Sequence, residues 1–184
     1  MGRELLREEK VFREQFEECD RLFREFGNWS LMEELSSGEK SSRLRQTEIA
    51  QTAVFSLQIA LAALWQSWGV KPSAVVGHSV GEVAAAHTAG ILTLREAARV
   101  TFHRGRSMKS APETGRMLAA GLDSAQAEEF AARFPGEFAI AAFNGPNSVT
   151  FSGEAAALEE VSRILDVYKR QGTGCGGGAL YLRG

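Results

Sequence analysis

Five residues carry the strongest chemical signal in the chain: Gly77-His78-Ser79-Val80-Gly81. They stand between an apolar run, Ala74-Val75-Val76, and a helical stretch that opens with Glu82-Val83-Ala84-Ala85-Ala86. A serine flanked by glycines at such a junction is a nucleophile elbow, a turn so tight that only small residues fit beside it. The turn lifts the serine oxygen clear of the backbone and leaves it at a helix N-terminus. Unpaired N–H groups and the positive end of the helix dipole meet a developing oxyanion there. The chemistry implied is acyl transfer, with Ser79 acylated by an ester or thioester.

A general base must come within hydrogen-bond reach of Ser79, and geometry decides before acidity does. His78 precedes the serine in the elbow, so its side chain faces the other side of the turn. It supports the turn or shapes a pocket. His87 lies on the same helix as the elbow's end, about 12 Å along the axis at ~1.5 Å per residue. His103 belongs to a later helix, beside Arg104, and nothing in the spacing sets it against Ser79. Cys19 and Cys175 are isolated thiols, without the spacing of a disulfide framework or a metal site. No metal and no bound cofactor are expected.

The elements that must position the serine are legible on both sides of it. Leu5, Phe12, Phe16, Cys19, Phe23 and Phe26 form a narrow apolar stripe on a first helix, which Gly27-Asn28 ends. Ser30-Leu31-Met32-Glu33 is a capping box opening a short helix. A more buried helix runs from about Thr47 to Trp68 and stops at Gly69; Pro72 then leads into the elbow strand. Gly90 closes the helix after the elbow, and Thr93-Leu94-Arg95-Glu96 caps another that reaches about Ser110. Helix, strand, elbow and helix in this order predict an α/β fold, an α/β-hydrolase-like large subdomain with a central, mostly parallel sheet.

Beyond Pro112-Glu113-Thr114-Gly115 the texture changes. Met117 to Leu122 reads as a strand, Ser124 to Phe134 as a helix, Glu137 to Phe143 and Ser148 to Ser152 as strands, and Glu154 to Leu165 as a helix. This is a ferredoxin-like α+β small subdomain lacking its final strand. The expected organisation is residues 1–115 as the large subdomain, 116–166 as the small one, and 167–184 as a glycine-rich, non-homologous tail.

Composition narrows the partners. With 184 residues, 44% hydrophobic and 24% charged, the chain can bury a sizeable core. Its net charge of −2, with basic residues dispersed, gives no electrostatic footprint for nucleic acid. No apolar stretch is read as a membrane span, and Met1-Gly2-Arg3-Glu4-Leu5-Leu6 is not a signal peptide, so a cytoplasmic setting is expected.

Up to about Leu165 the chain resembles the malonyl/acyl-CoA:acyl-carrier-protein transacylase family, and most closely the acyltransferase domains of type I polyketide synthases. The resemblance rests on several segments besides Gly77-His78-Ser79-Val80-Gly81-Glu82. Met1-Gly2-Arg3-Glu4-Leu5 with Val11-Phe12-Arg13 looks like the family's first helix. Thr47-Glu48-Ile49-Ala50-Gln51 is similar to the segment carrying its active-site glutamine, with Thr52 in place of the usual proline. His103-Arg104-Gly105-Arg106 with Met108 looks like the segment holding an arginine for the extender carboxylate. Asn144-Gly145-Pro146 and Ser152-Gly153 match landmarks of the small subdomain.

The resemblance implies a ping-pong transfer in polyketide or fatty-acid biosynthesis. Ser79 takes a malonyl-type group from malonyl-CoA or a related acyl-CoA and passes it to the phosphopantetheine thiol of an acyl carrier protein. Arg104 grips the free carboxylate with a two-point fork, Gln51 and His78 border the substrate, and the Val80 N–H supplies one oxyanion donor. An aliphatic residue such as Val80 after the nucleophile goes more often with malonyl than with methylmalonyl groups. Ketosynthase and other synthase domains are the implied neighbours in a full-length polypeptide. The family's base histidine and its glycine-and-glutamine oxyanion loop fall in segments this sequence does not reach, so slow turnover of the 184-residue chain is expected. Two other readings share the elbow: a serine hydrolase that uses water as acceptor, and a non-catalytic fragment that docks a carrier protein.

Overall fold

Phe12, Phe16, Cys19 and Phe23 recur at helical spacing, and the helix that carries them, α2 (Lys10–Gly27), buries all four. The coordinates, a computed structural model, describe residues 2–38, 42–110, 115–170 and 180–182. Two units are distinguished, Met1–Ser110 and Ala111–Gly184, each around its own hydrophobic core.

In the first unit the opening stripe is carried by two helices rather than one. α1 (Arg3–Glu8) ends at Glu9, whose backbone is extended, and α2 begins at Lys10. Arg13 stabilises the break by donating from Nη1 to the carbonyls of Leu6 and Arg7, both at 3.1 Å. These are α1 carbonyls left without helical partners. Asn28, with φ 38°, ends α2 in the left-handed region that asparagine tolerates.

The short helix α3 (Leu31–Ser36) is anchored by a buried carboxylate from α2. Asp20 accepts from the backbone N–H of Leu31 at 2.5 Å and of Met32 at 3.3 Å, and Ser30 Oγ and Arg24 Nε donate to its other oxygen. Ser30 in turn accepts from Glu33 N at 3.2 Å, as the local capping pattern predicts. A second acidic side chain, Glu34, is buried against Arg43, which donates to it from its backbone N–H, Nε and Nη2.

Helix α4 (Thr47–Ser67) runs through the middle of this core and contributes Ala53, Phe55, Ile59, Ala60 and Leu64 to it. It is the one described helix long and apolar enough to cross a membrane by length and composition, and it packs against α2, α5 and α6 with Leu61 and Trp65 left exposed. Phe55 meets Phe23 edge to face at 6.1 Å, tying α4 to α2. Beyond α4, α5 (Gly81–Thr88) follows the elbow, and α6 (Leu94–Lys109) starts from a complete Thr93–Glu96 capping box.

The central parallel sheet expected here is absent: the described residues of Met1–Ser110 contain no strand. A strand needs a neighbour to complete its ladder, and every other regular element of this unit is a helix. Ala74-Val75-Val76 therefore stands without a sheet partner, with Val76 94% exposed.

The second unit supplies all the sheet in the described residues. Its order is β1 (Gly115–Ala120), α7 (Ser124–Arg133), β2 (Phe138–Gly145), β3 (Ser148–Glu154), α8 (Ala155–Arg170) and β4 (Leu180–Leu182). The strands lie in the order β2-β3-β1-β4 with every neighbouring pair antiparallel. Pro146 and Asn147 join β2 to β3, and Asn144 Nδ2 donates across the hairpin to Thr150 Oγ1 at 2.9 Å. Phe151 and Phe138 pack edge to face at 5.0 Å over Leu118, Leu158 and Val161.

One correction concerns the missing final strand. Leu180–Leu182 pairs with Met117–Ala119 of β1, inside the stretch read from sequence as a tail. Glycines obscure any alternating pattern at this end of the chain, and three residues are too few to show a period. The Gly172-to-Gly178 run and Cys175 lie outside the described residues, as do residues 111–114.

Asp20→Ala should lower unfolding stability by about 2 kcal/mol, because one buried and one half-buried N–H of α3 lose their acceptor; urea denaturation followed by circular dichroism measures it. Acid should weaken this unit in a defined direction. Burial opposes ionisation of Glu34, but the Arg43 hydrogen bonds and charge outweigh it and hold the carboxyl below its ordinary range. Its folded value lies below the unfolded one, so its contribution is complete above the unfolded value, about 4.3. That contribution disappears as pH falls through the lowered one. Arg43 is half exposed, so Arg43→Ala should remove about 1 kcal/mol at pH 7 and flatten the acid limb of the stability profile.

Candidate active site

Ser79 holds a left-handed backbone, φ 57°, one of two such non-glycine residues in the described chain. A serine adopts this conformation only where its surroundings leave no other choice. Those surroundings are the backbone turn that starts α5. Gly81 N donates to His78 O at 3.0 Å, Glu82 N to Ser79 O at 3.2 Å, and Val83 N to Val80 O at 3.1 Å. Gly77 lies directly against this turn: a Cβ there would come within 2.2 Å of Glu82 N and 2.3 Å of the Gly81 carbonyl carbon. No side chain fits. On the far flank, a Cβ at Gly81 would approach the Gln58 amide of α4 at 3.3 Å.

The side chain of Ser79 is met from α6. Arg104 donates from Nη2 to Ser79 Oγ at 2.9 Å, from Nη1 to Gln51 Oε1 on α4, and from Nη1 to Met108 Sδ at 3.3 Å. Arginine has donors only, so Gln51 presents its carbonyl oxygen and Ser79 a lone pair. The residues are far apart in sequence and come from three separate elements. Gln51 and Arg104 are half-buried while Ser79 is exposed, which leaves the guanidinium at the edge of solvent with its charge only partly screened.

The remaining predicted residues fall in different places. Val80 is buried in the core of the first unit, so its side chain can influence an acyl group only through the turn. Its N–H makes no backbone hydrogen bond among the described residues and lies one residue before the first N–H committed to the turn. His78 lines an open groove of about 700 Å³ with Gly77, Trp65, Val70 and Val75, and this lining does not include Ser79. His87 is engaged elsewhere, its Nδ1 at 2.9 Å from Leu92 O. His103 is exposed and packs edge to face on Phe102 at 5.5 Å. Among the described residues, no histidine hydrogen-bonds Ser79.

Near the site, Lys109 is unmarked in the sequence, and Glu48 and Met108 stand out there only as parts of family-like segments. Lys109 Nζ pairs with Glu48 Oε1 at 2.7 Å, joining α6 to α4 beside Gln51. Met108, one turn after Arg104, receives part of its guanidinium. Spacing by four on a helix is the only local signal for that contact.

Chemically, the arrangement combines an exposed serine oxygen on a strained turn, a free N–H beside it, and a fixed planar cation in contact with that oxygen. It suits an acyl group that carries a carboxylate.

Comparison with known proteins agrees in kind. The sequence pattern described as "Acyl transferase domain" matches residues 1–172. Erythronolide synthase EryA3 of Saccharopolyspora erythraea is 43% identical over 162 residues, covering 88% of this chain and 5% of that protein. The acyltransferase domain from the second module of the salinomycin polyketide synthase superposes with a TM-score of 0.82 at 38% identity, over 100% of this chain and 41% of that one. A malonyl-transacylase solved in complex with a type II polyketide synthase acyl-carrier protein gives 0.81 at 28% identity, over 99% and 57%. The chain thus spans only a small part of the curated relative and about half of each solved structure.

Gly77→Ala should remove the elbow, since the three atoms nearest a Cβ there, Glu82 N, Gly81 C and Glu82 Cα, are all backbone. The expected loss is about 3 kcal/mol or more of unfolding stability, read by chemical denaturation.

Proposed function

Because the chain belongs to the acyl transferase domain family, we propose that it carries the acyl-loading serine of a transferase that moves a malonyl-type group from coenzyme A to an acyl carrier protein. The observation that carries the proposal is the Arg104 guanidinium, held by Gln51 and touching Ser79 Oγ. A plain hydrolase of uncharged esters has no need of a cation there.

The proposed transfer uses these residues in turn. The carboxylate of the incoming acyl group takes the Arg104 fork, which draws Nη2 off Ser79 Oγ and frees that lone pair for attack. Ser79 Oγ adds to the thioester carbonyl, and the Val80 N–H stabilises the oxyanion. The C–S bond breaks, the proton lost from Ser79 Oγ passes through solvent to the departing sulfur so that coenzyme A leaves as its thiol, and the acyl group remains on Ser79 as an ester. In the second half a phosphopantetheine thiol attacks that ester, a new thioester C–S bond forms as the acyl C–Oγ bond breaks, and the thiol's proton returns to Ser79 Oγ. Gln51 keeps the guanidinium oriented, and His78 shapes the underside of the elbow.

The solved complex of a malonyl-transacylase with its carrier protein supports a carrier-protein acceptor. Similarity to a domain from the second module of a polyketide synthase, and to 5% of the length of a much longer synthase, supports neighbouring domains, a ketosynthase among them, in a longer polypeptide. The β-α-β-β-α-β order of the second unit supports a ferredoxin-like small subdomain, with the boundary near residue 115. A cytoplasmic setting follows from the use of coenzyme A thioesters.

Mass spectrometry after incubation with malonyl-CoA tests the assignment. Slow addition of one malonyl group to Ser79 is expected, abolished in Ser79→Ala, since no described histidine reaches the serine to take its proton. Arg104→Ala should lower the preference for malonyl-CoA over acetyl-CoA about a hundredfold, which at ~1.4 kcal/mol per tenfold is about the worth of one charge-assisted hydrogen-bonded contact. Unchanged preference in that variant would favour the hydrolase reading, and carrier-protein binding without any acylation would favour the docking one.

A further inference from the structure

Glycine is a poor residue for a helix interior, yet Gly105 stands within α6, buried, one residue after Arg104. A Cβ at this position would lie 2.9 Å from Glu48 Cα and 3.3 Å from the Glu48 carbonyl oxygen. Helix α6 therefore rests on α4 backbone against backbone, one turn before Gln51. Neither obstructing atom is the loose end of a side chain. Two further contacts hold the same turn of α4. Lys109 pairs with the Glu48 carboxylate, and Thr52 Oγ1 donates to the Glu48 and Ile49 carbonyls at 3.2 and 2.9 Å.

We propose that the seat of Gly105 on Glu48 is the positioning device of the acyl-carboxylate site, setting the height at which Arg104 leaves α6 and so its simultaneous reach to Gln51 and Ser79. The inference rests on the reading of Arg104 as the group that grips the substrate carboxylate. A methyl group at position 105 needs about 0.5 Å more room between the helices, because close-packed interiors have no slack at such a contact. The two helices carry the two ends of the Arg104–Gln51 bond, so their separation acts on that bond directly. The 2.9 Å bond to Ser79 marks where the unliganded guanidinium stands, and a further half ångström takes that bond to the limit of a useful hydrogen bond and sets the fork as far from a carboxylate held beside Ser79. A displacement of this order in a positioning group is enough to lower productive binding tenfold or more. Glycine suits this position despite its low helix propensity because any larger residue would lift the guanidinium off its partners.

Arginine side-chain NMR on the full 184-residue chain tests this, with the Arg104 guanidinium signal assigned by its loss in Arg104→Lys. In the parent chain, malonyl-CoA should shift that signal and acetyl-CoA should not. In Gly105→Ala the unliganded signal should move toward that of a free arginine. Malonyl-CoA affinity should fall about tenfold while acetyl-CoA affinity stays unchanged. Alanine suits a helix, and circular dichroism with thermal unfolding verifies that the variant is folded. A folded Gly105→Ala chain with the parental Arg104 signal overturns the inference and leaves the reading of Arg104 standing. A parent chain whose Arg104 signal ignores malonyl-CoA overturns that reading, while the unliganded comparison still judges the seat. Should Gly105→Ala fail to fold, Lys109→Met loosens the same seat from its side-chain contact. A smaller shift in the same direction supports the proposal, and the parental signal overturns it.

Discussion

The left-handed backbone of Ser79 is the constraint on which the rest of the first unit depends. At φ 57° a serine is strained by an amount on the order of 1–3 kcal/mol, and the strain persists only if the turn is fixed from several sides. Three successive backbone hydrogen bonds fix it from within, and the bare Cα of Gly77 lets the incoming segment lie on Glu82. The same conformation that is hard to hold is what presents Oγ to solvent and leaves the Val80 N–H without a backbone partner. Strain and function are here one feature of the turn.

Holding the serine is only half of the task, because the cation that meets it comes from another helix. Arg104 reaches Ser79 and Gln51 only because α4 and α6 touch along their backbones at Glu48 and Gly105. Upstream, α4 is fixed by its contact with α2 through Phe23 and Phe55, and α2 carries α3 through the buried carboxylate of Asp20. Polar groups buried in this way must all be satisfied, and Asp20 and Glu34 are. They give the helical packing a definite register that apolar contacts alone would leave looser. Cys19, buried in the same layer, has its thiol pushed up to about 12 by burial, so it acts as a small apolar residue and not as a competing nucleophile.

The second unit follows different rules. Its sheet is entirely antiparallel, with both helices read from the sequence where the apolar period changes from two to about four. Strand boundaries differ from the sequence reading by a few residues: β1 is placed at Gly115–Ala120 where Met117–Leu122 is predicted, because the ladder to β3 begins at Gly115. Leu122 is instead buried beyond the strand end, in the turn toward α7. An apolar residue serves a core equally well from a strand or from the loop after it, which is why burial was legible here and the boundary was not.

Local residue patterns are enough to specify the elbow, the helices on either side of it, the caps at Ser30 and Thr93, and the alternation of the second unit. Each of these is set by residues within a few positions of one another: glycines that alone fit a turn, a hydroxyl that bonds an N–H three residues on, apolar side chains at the period of their element. The identity of Arg104 and Gln51 as site residues came through likeness to a family, since an arginine on a helix face has no local mark of its role. Tertiary structure alone decided that Ala74-Val75-Val76 has no strand beside it, that Asp20 caps a helix eleven residues away, that a short strand near residue 181 completes the second sheet, and that Glu48 and Gly105 touch. All four depend on which backbone lies next to which. That is settled by the packing of whole elements, where residues distant in sequence compete for the same neighbours, and no local pattern records the outcome.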